Sequence, residues 1–283
     1  MVNSLCGSVC RVYGLLSTNK NNIYFKTNKF MWLTKSSIGK KVLMSVTGMA
    51  LILFLTFHAS MNVVALFSKD GYNMICEFLG ANWYAVVATA GLAALCLLHI
   101  VYAFILTIEN RKARGNNRYA VTEKPAKVEW ASQNMLVLGV IVLLGMLLHL
   151  FNFWYNMMFA ELFPSIHYDA APADGFAKIV TTFSCPVYVV LYVVWLVAIW
   201  FHLTHGFWSA IQTIGWSGHI WFNRWRIIGI IYVTLVMLMF LVVVLAFAFG
   251  LAPSLQCCGG EAACCGQQAV ECCKEAAQGC GAM

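Results

Sequence analysis

Four histidines, His58, His99, His149 and His202, each stand inside a different long apolar segment. Counted from Lys41, Trp83, Gln133 and Pro186, where those segments begin, they lie 17, 16, 16 and 16 residues in. An ionisable side chain in hydrocarbon is costly, so an intramembrane histidine points to function by default. A neutral imidazole is a good ligand for haem iron, and bis-histidine ligation needs two helices facing each other at one depth. Four such residues can hold two haems. The alternative is that they are packing histidines, hydrogen-bonded across helices or lining a proton path. One histidine alone would favour that alternative; four at paired depths favour ligation, because each uncompensated polar group in hydrocarbon costs roughly several kcal/mol.

The elements that must position them are membrane helices. The chain has 283 residues, 61% hydrophobic and 10% charged, with a mean hydropathy of +0.76, outside the range of soluble domains. Segments 41–67, 83–108, 133–158, 184–214 and 227–250 are each long enough to cross a core of about 30 Å. None carries Asp, Glu, Lys or Arg beyond its ends, and none alternates as a barrel strand would. The predicted fold is an all-α membrane protein, a bundle of five transmembrane helices.

The net charge of +7 is explained by topology rather than by a nucleic-acid surface. Basic residues collect before the first segment (seven up to Lys41), in 109–132 (Arg111, Lys112, Arg114, Arg118, Lys124, Lys127) and at Arg224 and Arg226; the opposite side has Lys69, Lys178 and Lys274. The positive-inside rule then puts the N-terminus in the cytoplasm and the C-terminus outside. At 1.5 Å per residue the histidines lie about 24–26 Å along their helices. Successive helices run in opposite directions, so His58 and His149 pair near the outer face and His99 and His202 near the cytoplasm. Gly48, Gly91, Gly145 and Gly206 are expected to leave room for a macrocycle beside them, although glycines also let membrane helices approach closely.

Residues 1–30 are polar and lack a secretory h-region. They read as an extension ahead of an alternative start at Met31, or as a soluble arm. Residues 31–250 form the membrane domain. The tail, 251–283, holds Cys257, Cys258, Cys264, Cys265, Cys272, Cys273 and Cys280, seven of the chain's twelve cysteines, in a spacing that fits no cluster or zinc pattern. Outside the cytoplasm it suits disulfides, with metal binding or no role as alternatives. Cys76, Cys96 and Cys185 read as small apolar fillers.

The segments SVTGMALILFLTFHASMNVVALF, LCLLHIVYAF, LLGMLLHLFNF and WFHLTHGFWSAIQTIGW resemble the cytochrome b membrane anchor of succinate dehydrogenases and fumarate reductases, of the two-haem, single-polypeptide type. The resemblance covers about residues 31–250, and H-x-x-H-G-x-W-S-x-x-Q-T from His202 to Thr213 is its most specific part. It implies two haem b groups, the distal one held by His58 and His149 and the proximal one by His99 and His202. His205 is the alternative to His202, one helical turn away; the family's ligand lies four residues before a glycine, which selects His202 before Gly206.

The resemblance further implies a flavoprotein subunit and an iron–sulfur subunit as separate partner chains, with the basic cytoplasmic loop around Arg111 to Lys127 and the segment before Lys41 as the docking surfaces. Menaquinone is the substrate it implies, and the bacterial cytoplasmic (inner) membrane the location; relatives often form a dimer of the whole complex. Glu77, the one glutamate of the outer loop 68–82, is the candidate for proton exchange with quinone, with a solvated loop carboxylate as the plainer reading. Some fumarate-reducing relatives carry a glutamate two residues before the fourth ligand, where this chain has Trp200. Candidate propionate contacts are Asn62, Asn152 and Asn156 on the outer side and Ser209, Gln212 and Arg111 on the inner. Trp83, Tyr84, Trp154, Trp216 and Trp221 suit an aromatic belt, and His167 and His219 suit loops.

Two other functions compete. Cytochrome b subunits of hydrogenases or formate dehydrogenases also carry helix histidines but lack the stretch from His202 to Thr213. A membrane zinc hydrolase using His202 and His205, or a histidine-relay transporter, is non-redox; a metalloprotease would want the glutamate of H-E-x-x-H, and no span contains one.

Overall fold

The computed structural model describes residues 34–80, 82–114, 130–163, 172–218 and 220–256. The N-terminal extension, most of the basic loop, His167, His219 and the cysteines of the tail lie outside the described residues. Among those described there is no strand, and five helices are long and apolar enough to cross a membrane.

Helix α1 spans Ser37–Phe67, started by Ser36, whose hydroxyl accepts from the Gly39 amide at 2.9 Å. Ser68 ends it and at once caps α2, Lys69–Phe78, by accepting from Gly71 N at 3.0 Å. Helix α3 is Trp83–Arg114. Helix α4 begins as Met135–His149, continues through a π-helical stretch, Leu150–Phe159, and finishes at Ala160–Leu162. The short α5, Gly175–Phe183, is capped by Asp174, which accepts from Ala177 N at 3.0 Å. Helix α6, Pro186–Ile214, has proline at its first turn, where no amide is needed, and stops at Gly215 with φ 90°. Helix α7 is Phe222–Ala248.

The helices overrun the apolar segments at four ends: α1 starts at Ser37 rather than Lys41, and α4 continues to Leu162 rather than ending at 158. Helix α3 runs on through Glu109 to Arg114, and α7 starts at Phe222, taking in Arg224 and Arg226. Hydropathy marks the part of a helix that meets hydrocarbon, whereas its backbone ladder carries on into the headgroup layer. Within the π-helical stretch a side chain joins the ladder: Asn156 Nδ2 donates to the Phe151 carbonyl at 2.9 Å and the Asn152 carbonyl at 3.2 Å.

Helices α1, α6 and α7 pack against one another; α3 lies against α1, and α4 against α6. Ile52, Ala59, Leu196, Ile199, Val233 and Val236 are buried where they meet. Trp200 Nε1 donates to Thr234 Oγ1 at 3.0 Å, tying α6 to α7, and Thr56 and Tyr232 share a hydrogen bond from α1 to α7. At the near end, where α1 begins, Lys40 pairs with Glu109 of α3.

The far end is closed by α2 and α5, two amphipathic helices that the hydropathy pattern does not announce. Asn73 locks them together: its Nδ2 donates to Asp174 Oδ1 at 3.0 Å while its Oδ1 accepts from Phe176 N at 2.9 Å. Ser254, buried beyond α7, donates to the Ala65 carbonyl at 2.7 Å. Gly175 allows the close approach, because a Cβ there would lie 2.4 Å from Cys76 Sγ and 2.9 Å from Met157 Cε. Burial pushes the Cys76 thiol up to about 11, so it stays protonated and inert near neutrality. Gly175→Ala is therefore expected to cost on the order of 1–3 kcal/mol by overpacking. Thermal unfolding in detergent measures that loss, and faster alkylation of Cys76 at pH 8 shows that the junction has opened.

Candidate functional site

Four helices carry the site. α3 borders α1, α1 borders α6 and α6 borders α4, so α1 and α4 face each other across one diagonal and α3 and α6 across the other. Neither diagonal pair is closely packed. The histidines meet along these diagonals. His58 on α1 and His149 on α4 have ring centroids 5.8 Å apart at 81°; His99 on α3 and His202 on α6 have theirs 6.4 Å apart at 68°. The first pair lies toward the far end and the second toward the near end. Along the open side, between α3 and α4, Cys96 Sγ reaches Met146 Sδ at 3.7 Å.

The far pair sits among aromatic rings. Phe54 stacks on His58 at 5.6 Å, and Phe240 of α7 lies 5.7 Å away. His149 is enclosed by Phe153, Tyr192 and Trp195, at 5.1, 6.2 and 5.6 Å. Asn62 Nδ2 donates to the His58 carbonyl at 2.8 Å and lies 3.5 Å from its Nε2, while Asn62 Oδ1 accepts from Tyr72 of α2 at 3.3 Å. The near pair has small neighbours. A Cβ on Gly48 would lie 3.2 Å from His99 Cε1, and one on Gly139 3.8 Å from His202 Cε1. Thr47 Oγ1 stands 3.1 Å from His99 Nδ1.

These residues fit a bis-histidine metal. With metal–nitrogen bonds of about 2 Å and each nitrogen about 1 Å from its ring centre, two axial imidazoles have centroids about 6 Å apart. One ring of each pair, His149 and His202, keeps a buried Nδ1 with no hydrogen-bond partner, an uncommitted group in a place where one is costly. Space beside the rings is mixed. Cβ atoms on Gly91 and Gly206 would meet nothing within 4 Å, but Gly145 leaves no room: its face is filled by Trp195, which donates from Nε1 to the Val142 carbonyl at 3.0 Å.

The remaining candidates are dispersed. His205 lies one turn from His202 on the same helix, half-buried. Asn152 is buried and donates to the Tyr192 hydroxyl at 3.3 Å, so it links α4 to α6; Asn156 is spent on its own helix. Gln212 and Arg111 are exposed, and the Ser209 carbonyl accepts from Thr213. Glu77 is exposed at the end of α2. Cys76, Cys96 and Cys185 are half-buried free thiols, and Trp83, Trp216 and Trp221 are exposed near helix ends. Thr47, Tyr72, Gly139 and Trp195 escape a reading of the sequence; Thr47 adjoining Gly48 was the one available signal. Among the described residues no three His, Cys, Asp or Glu side chains gather as a metal-ion site, the arrangement a zinc hydrolase needs. No protein-family model, curated protein or solved structure matches the chain, so its likeness to the succinate dehydrogenase anchors rests on the motifs quoted above.

The glycines separate in a test. Gly145→Ala would put a Cβ 2.0 Å from Trp195 Cδ1 and is expected to destabilise the apoprotein by about 1–3 kcal/mol. Gly91→Ala and Gly206→Ala, which enter open space, are expected to be neutral or to stabilise by up to about 1 kcal/mol. Unfolding in detergent, followed by near-ultraviolet circular dichroism, reads both effects.

Proposed function

We propose that the chain is the membrane-anchoring cytochrome b subunit of a succinate:quinone oxidoreductase, passing electrons through two haems between an iron–sulfur subunit and menaquinone. The observation that carries the reading is the pair of crossed histidine contacts, 5.8 and 6.4 Å between ring centres, joined to the motif from His202 to Thr213. His58 and His149 would hold the far haem, and His99 and His202 the near one. Bound there, haem supplies a one-electron carrier at each of two depths.

The chain's own residues do the rest. Antiparallel helices set the two depths, and packing of α7 on α1 and α6 excludes water behind the rings. Phe54, Phe153 and Trp195 give the far pair an apolar wall. The near end, with Arg111 and Lys112 exposed toward the close of α3, is the cytoplasmic face on which the iron–sulfur and flavoprotein subunits dock. The membrane is the bacterial cytoplasmic one. Glu77, exposed at the end of α2, would exchange protons with quinone; Glu77→Gln is expected to slow quinone-linked turnover with both haems retained, and unchanged turnover removes it from the site.

A dithionite-reduced minus oxidised spectrum, with pyridine haemochrome quantitation, is expected to give two haems b per chain. His58→Ala and His202→Ala should each abolish a different one, and His205→Ala should leave both. A chain purified with its partner subunits that binds no haem would sink the proposal.

A further inference from the structure

In the near pair, His99 meets a hydroxyl carried by the facing helix α1. Thr47, 3% exposed, lies on α1 with its Oγ1 2.9 Å from the Leu43 carbonyl and 3.0 Å from the Met44 carbonyl, the usual back-bonding of a helical threonine. The same oxygen stands 3.1 Å from His99 Nδ1. A carbonyl only accepts, and a hydroxyl has a single proton. With that proton on an α1 carbonyl, both of which lie closer than Nδ1, the Thr47 oxygen is free to accept from His99 Nδ1–H; the opposite arrangement, the hydroxyl donating to a bare Nδ1, is the one the test separates from it. Gly48 closes the seat, since a Cβ there would come within 3.2 Å of the ring.

We infer that Thr47 is a positioning residue for the near site: by accepting from Nδ1–H it fixes His99 as the tautomer whose free lone pair is on Nε2, the one ring nitrogen left for a metal. The role in haem binding rests on the proposed function; the tautomer does not. A hydrogen bond to the outer nitrogen of a metal-bound histidine holds the ring and makes it a better donor, and losing such a bond typically costs 10–100-fold in metal affinity.

Two arms test this on the full-length chain. In the haem-free protein in nanodiscs, ¹⁵N-histidine spectra, with His99 assigned by its loss in His99→Gln, should show Nδ1–H in the wild type and in Thr47→Ser. In the near-isosteric Thr47→Val the fixed tautomer should be lost. His99 protonated on Nε2 in the wild type would overturn the inference. In the haem-loaded complex, Thr47→Val should weaken retention of the near haem about 10–100-fold and raise its midpoint potential, while the far haem is unmoved and Thr47→Ser behaves as wild type. Two haems bound with both unaffected by Thr47→Val would refute the positioning role alone. A wild-type chain that shows the tautomer yet binds no haem would refute the proposed function and, with it, that role.

Discussion

Keeping four imidazoles inside hydrocarbon is the constraint on which the rest of this structure depends. A spanning helix satisfies its own backbone, but an imidazole brings a donor and an acceptor that lipid cannot meet. The chain answers by turning every one of the four inward, onto a neighbour on the opposite diagonal of the bundle. α1 then cannot close on α4, nor α3 on α6. The close packing that stabilises the bundle is displaced to the back, where α7, the one span without a histidine, seals α1 and α6 with Val233, Val236 and Val243.

Much of this was legible in the sequence, and the reason is that membranes leave few options. A run of apolar residues free of charge must be helical, so five spans could be read directly. Fixed helical rise and alternating direction then sort the histidines into levels without any tertiary information. What escaped was whatever depends on a neighbour's side chain. Gly145 looks from the sequence like space for a ring, yet Trp195 from α6 occupies it, because a gap beside a membrane helix is filled by the largest side chain that reaches it. Thr47 is invisible for the related reason that a helical threonine usually satisfies itself, and only the placement of His99 reveals its second bond.

The far-end cap escaped for a different reason. Lys69–Phe78 and Gly175–Phe183 are too short and too polar on one face to register as spans. Their stability comes from each other, through Asn73, Asp174 and the missing side chain of Gly175. An amphipathic helix of that length is marginal alone and becomes a structural element only when its apolar face finds a partner.

The cap also makes the two histidine pairs unequal. Tyr72 on α2 donates to Asn62, and Asn62 lies against His58, so polar side chains join the far pair to the α2 side of the cap. The near pair has no such connection through Thr47, whose other bonds return to the backbone of α1. A shift of the cap is felt at His58 and not, by this route, at His99. Under the proposed function that asymmetry is the useful one. The far site must exchange protons and product with its surroundings, and it is the pair joined to the cap, whereas the near site has only to keep its ligands still and is tied to α1, which packs against α3, α6 and α7.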